Sequence, residues 1–168
     1  MYNWHVLGNV TYTNAFLLSI QKIDVTAMSQ SVARRTIDEE PVSIAAVRGL
    51  LHFRNSRYGY DVIFDQFGEK VHRFTGIYGY TLTSLQLEVS KNLITNELST
   101  SAAITNLSGG LSRMIYMPAN NITEVLSRVF SATTTYHSVR TWGQNTLAPI
   151  MLEVAQKLDF PQVCFNNC

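Results

Sequence analysis

The sequence predicts an α+β domain, a single unit of mixed helices and short strands. Three observations predict it. Apolar residues at helical spacing alternate along the chain with Tyr-, Thr- and Val-rich segments that favour extended structure. The two kinds of segment are interleaved, with no internal repeats and no low-complexity tracts. The 168 residues suffice for one domain with a real core.

In chain order, residues 2–10 read as a short first strand. Thr11 or Thr13 caps a helix carrying Phe16, Leu17, Ile20 and Ile23 on one face, and a second helix follows through Val25, Met28, Val32 and Ala33 to Arg34-Arg35. The polar run 36–41 breaks the pattern and marks a boundary between an N-terminal strand and helical arm, residues 1–41, and a core, residues 42–168. Residues 42–53 form an apolar strand. Residues 58–64 alternate aromatic and polar side chains, 65–68 make a turn, and 70–74 return as the second strand of a hairpin. Residues 77–85 extend. Residues 87–98 suit an amphipathic helix through Val89, Leu93 and Ile94. Ser99 or Thr100 then caps a further turn through Ala102, Ile104 and Leu107, stopped by Gly109-Gly110. Residues 111–117 are a strand ended by Pro118. Asn120 or Asn121 caps a helix through Val125, Leu126 and Val129, and a last helix spans residues 146–158.

Composition excludes some functions. Thirteen basic residues against twelve acidic ones leave a net charge of +1, which gives no reason to expect nucleic acid or an anionic membrane as partner. No apolar run approaches a membrane span, and residues 1–5 lack the basic start and apolar stretch of a signal peptide, so a secreted form would have lost its leader. His5, His52, His72 and His137 are not at metal-ligand spacing. The only cysteines, Cys164 and Cys168, close a small loop, pair with a second chain, or stay free in the tail. Sequons at Asn9, Asn106 and Asn121 are no more than chance allows in a chain rich in Asn, Ser and Thr. No glycine-rich phosphate loop and no Ser/His/Asp arrangement is legible.

Three separated pieces carry chemistry: Phe53-Arg54-Asn55-Ser56-Arg57 at the end of an apolar run, Gly79-Tyr80-Thr81-Leu82-Thr83-Ser84, and Leu152-Glu153-Val154-Ala155. In that order they resemble the Arg…Ser/Thr-Ser…Glu pattern of toxin-type mono-ADP-ribosyltransferases of the pertussis and cholera kind. Residues 110–121 also look like the family's strand leading into an Ala-x-Asn-Asn turn. The departures are Asn55 for the usual acid, Tyr58-Gly59 for two prolines, Leu82 for the first serine of the hydroxyl run, and Met151 for a second acidic or amide residue. The likeness covers roughly residues 50–165 and leaves the arm unexplained.

The resemblance implies an NAD-binding cleft, NAD as substrate and no metal. ADP-ribose would pass to a protein side chain, or to water when no acceptor is present, in a glycosyl transfer by a secreted or host-delivered toxin or effector. Arg54 would fork onto the diphosphate. Tyr80, Thr83 and Ser84 would hold the cofactor, with Ser99 of the intact Ser99-Thr100-Ser101 run as the rival hydroxyl site. Glu153 would stabilise the oxocarbenium-like transition state as nicotinamide leaves. The family pattern would make residues 58–66 more helical than the hairpin that their alternation predicts. Partners would be the protein acceptor and, through Cys164 or Cys168, a second subunit. A second class of function competes: a non-catalytic structural or interaction module, such as a viral, assembly or host-binding protein. Low charge, abundant Asn, Ser, Thr and aromatic residues, and Leu82 in place of serine all suit it.

Overall fold

Residues 6–37 and 40–161 are described by the computed structural model. Six strands precede the helices: β1 Asn9–Ser19, β2 Lys22–Ile37, β3 Glu40–Gln66, β4 Lys70–Asn92, β5 Leu98–Gly110 and β6 Ile115–Met117. Helix α1 spans Asn121–Val129, and α2, Thr133–Trp142, continues through a π-helical turn, Gly143–Leu147, into α3, Ala148–Gln156.

All six strands form one antiparallel sheet. The long β3–β4 hairpin is its spine. At about 3.3 Å per residue, the 27 residues of β3 would reach roughly 90 Å if straight. Its free edge is shared end to end: β1 pairs with residues 57–65 and β2 with residues 40–54. The far edge of β4 is shared by β6 and β5. The hairpin turns through Phe67, Gly68 and Glu69: Phe67 and Gly68, both at positive φ, are the central residues of a turn closed by the Glu69 N–H on the Gln66 carbonyl oxygen, and Asp65 Oδ1 accepts the Gly68 N–H at 3.3 Å.

This β-rich architecture overturns the expected α+β class with its short strands and NAD-binding cleft. The helices expected within residues 11–35 are β1 and β2. Those expected over 87–98 and 99–107 are the end of β4, a turn at Asn92 and β5. Runs such as Val25…Met28…Val32 satisfy helical spacing, but the β-branched valines suit a pleated surface, and β3 supplies the partner that local sequence cannot reveal. Thr100, expected as a cap, donates to the Ala148 carbonyl oxygen at 2.7 Å from within β5. The hairpin over 58–74 is as its alternation predicts, and the helical character that the family pattern implied for 58–66 is absent. Asn120 does cap α1: its side chain accepts the Thr123 N–H at 3.0 Å while Thr123 Oγ1 accepts the Asn120 N–H at 2.7 Å. The last helix is α3. Near the expected boundary β2 pairs with β3, Thr36 opposite Pro41. Residues 1–5 and both cysteines lie outside the described residues.

The helices cover one face only. α2 lies across β1 and β5, α1 meets β6, and α3 meets β5 and part of β4. Under them sits an aromatic core of Tyr58, Tyr60, Phe64, Phe74, Tyr78, Tyr80, Tyr116 and Trp142. Tyr58 meets Trp142 and Tyr80 edge-on, at centroid distances of 5.7 and 6.1 Å. Gly59 lets the Phe16 ring of the neighbouring strand lie against its backbone, space a Cβ would fill.

Candidate functional site

Strict alternation would carry one set of side chains along each long strand to one face. In β3 and β4 the sets exchange. Tyr58, Tyr60, Val62 and Phe64 are buried towards the helices beyond residue 55, whereas Phe53 is buried before it, and two exposed residues, Arg54 and Asn55, stand between Phe53 and Ser56. Asn55 has a φ of 48°, and β4 makes the matching step between Tyr80 and Thr83. Four sequence-predicted site residues, Arg54, Tyr80, Thr83 and Ser84, lie around this step, and they do not share a face.

Arg54 is exposed on the face turned away from the helices. Its Nε donates to Asp24 Oδ2 at 3.0 Å, and Lys22 Nζ pairs with Asp24 Oδ1 at 2.7 Å. Hydrogen bonds from Lys22 and Arg54 hold the Asp24 carboxyl below its ordinary range. Thr83 points the opposite way: it is fully buried, its Oγ1 2.9 Å from Ser56 Oγ. Ser84, as the next residue, returns to the outer face at 5% exposure, with its Oγ 2.9 Å from His52 Nδ1. Two hydroxyls expected to line one cleft therefore lie on opposite sides of the sheet. Tyr80 belongs to the helix-side core, 3.4 Å from Thr135 Oγ1, and burial pushes its hydroxyl up to about 12. Burial likewise raises Tyr58, Tyr60, Tyr78 and Tyr116.

The other two predicted residues lie elsewhere. Ser99 starts β5, with its Oγ 2.7 Å from Ser90 Oγ. Glu153 is on α3, its side chain 69% exposed, and its Oε1 accepts from Lys157 Nζ at 2.7 Å. α3 packs on the helix-covered face, so the sheet stands between Glu153 and Arg54.

Two neighbouring depressions open at the step. One, of about 260 Å³, is lined by Gln21, Asn55, Ser56, Arg57, Tyr80 and Thr81 among others, and the second, of about 530 Å³, by Gln21, Lys22, Asp24, Arg54 and Asn55. Glu153 lines neither. Sequence reasoning missed the row that crosses the sheet here: register places Asp24 opposite His52, and His52 opposite Ser84. The set has the residue types of a nucleophile, base and acid. Its geometry differs from a working triad: Asp24 is bound to Lys22 and Arg54 rather than to the imidazole, and Ser84 is buried. The row is a cross-strand polar ladder. Among the described residues no three His, Cys, Asp or Glu side chains gather in a way that could hold a metal ion, and no helix is long and apolar enough to cross a membrane.

No protein-family model matches the chain, and no curated protein matches it with significant similarity.

Proposed function

We propose that this protein is a non-catalytic interaction module whose working surface is the β2-bearing half of the sheet. One observation carries the reading. On the helix-side face the apolar surface continues past the helices onto β2, where Ile23, Val25 and Met28 are 52%, 60% and 72% exposed. Ile23 stands opposite the core residue Phe53, and Val25 opposite Leu51, which packs against the core. An apolar row that extends a core into solvent is what a binding surface presents before its partner arrives.

The ADP-ribosyltransferase reading keeps one supporting feature, the position of Arg54 and Tyr80 beside the two adjacent depressions. Against it stand the separation of Glu153 from Arg54 by the sheet and the opposite facing of Thr83 and Ser84. The test is nicotinamide release from NAD at high protein concentration. No release above the rate in buffer is expected, from the parent or from Glu153→Gln. Release by the parent that Glu153→Gln abolishes, in a protein with an unchanged melting curve, would overturn the reading.

A further inference from the structure

We infer that β2 is the dimerisation edge of this protein, and that its occupant is β2 of a second copy, paired antiparallel about a two-fold axis through Gln30. The inference names the partner for the interaction surface proposed above and rests on that reading.

Strand β2 bonds to β3 along one side only. Among the described residues no strand pairs with its other side, and no helix packs on it to any extent. Edges of this length are ordinarily blunted by charge, proline or brevity. β2 has 16 residues and no proline, and the nine residues from Val25 to Ala33 carry no charge. Residues Lys22 to Ser31 are exposed except Asp24. A row of outward N–H and C=O groups this long and this neutral is a template for another strand.

The side chains select the strand. Between Val25 and Ala27 the β2–β3 register slips by one residue, a bulge at Thr26, whose Oγ1 donates to the Leu50 carbonyl oxygen at 3.1 Å. After the bulge Met28, Gln30, Val32 and Arg34 share the helix-side face, and Ala27, Ser29, Ser31, Ala33 and Arg35 share the outer face. Before it Asp24 is on the outer face, opposite His52. Antiparallel neighbours that stand opposite each other must share a face. With the axis at Gln30, Met28 of one copy meets Val32 of the other, Ala27 meets Ala33, and Ser29 meets Ser31. Every pair matches in face and the central pairs match in polarity, so that the stretch from Ala27 to Ala33 reads nearly alike in both directions. An axis perpendicular to the sheet also leaves the helices of both copies on the same side, with the exposed Met28 of each copy beside Val32 of the other.

The test combines sedimentation with cross-linking. The parent should sediment as a concentration-dependent dimer. Gln30→Glu, which sets two like charges opposite each other on the axis, should shift the population to monomer. In a Cys164→Ser, Cys168→Ser background, Gln30→Cys should oxidise to a covalent dimer, because residues facing each other across such an axis lie about 4.5–5.5 Å apart at Cα, within disulfide reach. Ser101→Cys, exposed on the opposite edge strand β5, should not. A monomeric parent overturns the inference, as does a dimer in which Gln30→Cys cross-links no faster than Ser101→Cys. A monomer that releases no nicotinamide sinks only the β2 pairing, whereas NAD cleavage lost in Glu153→Gln sinks the interaction-module reading itself.

Discussion

β1 and β2 lie along the same edge of the same strand, yet they differ in what covers them. β1 pairs with the aromatic half of β3 and lies under α2. Its Ala15 is buried, and the Tyr12 hydroxyl is 2.6 Å from that of Tyr116. β2 pairs with the Ala-, Val- and Leu-bearing half of β3, and among its described residues none is fully buried. Backbone pairing does not explain the difference, since β1 slips register twice and β2 once. What separates them is side-chain burial: aromatic residues concentrate on the β1 half, each burying large apolar area at about 25 cal/mol per Å². The β1 half holds the fold, and the β2 half extends from it as a partly covered platform.

Truncation gives the sharpest contrast between the halves. Tyr58→Ala removes a fully buried ring wedged between Trp142 and Tyr80 and should cost about 3–5 kcal/mol. Met28→Ala on β2 should stay within about 0.5 kcal/mol in the monomer. Urea unfolding of both variants checks this, and similar losses would break the division.

Alkaline pH probes the aromatic half alone. The tyrosine pKa values are raised in the folded state, chiefly by burial, to about 12 for Tyr80. Above about pH 10 the unfolded chain releases tyrosyl protons that the folded chain keeps. The folded state then binds more protons, and stability falls as pH rises. Stability should be level below that pH and drop steeply above it, with tyrosinate absorbance appearing together with unfolding. Tyrosines that ionise while the fold persists would place them closer to solvent than the structure does.

A smaller effect separates the two faces at the step. Thr83→Val strands the buried Ser56 hydroxyl and should cost about 1–3 kcal/mol. Ser84→Ala should cost less, about 1 kcal/mol, because its partner His52 is only partly buried. Thermal melts order the two, and the reverse order would exchange the faces assigned to them.

Parts of this fold were legible in the sequence, and they are the local ones. The Phe67-Gly68 turn, the alternation over 58–64, the Asn120 cap and the last helix are each written within a few residues. β1, β2 and β5 are not, because their stability comes from β3 and β4, tens of residues away, and their own apolar spacing fits a helix equally well. The same limit hid the site geometry. Thr83 and Ser84 are adjacent in any reading, but only an extended backbone sends them to opposite faces. The Asp24, His52 and Ser84 row exists through register across three strands. Arg54 and Glu153 were joined by order along the chain, which carries no information about the side of the sheet on which each lies.

Hydrogen exchange of β2 against β1, on dilute monomer, tests the open-edge assignment most directly. Along β2 the amides should alternate, those bonded to β3 slow and those facing outward fast, while the β1 amides bonded to β3 exchange at the slowest rates in the protein. Raising the concentration should then protect the outward β2 amides between Ala27 and Ala33 and leave β1 unchanged. Uniform slow exchange along β2 in the dilute monomer would contradict the account, because it would mean that this edge is already covered.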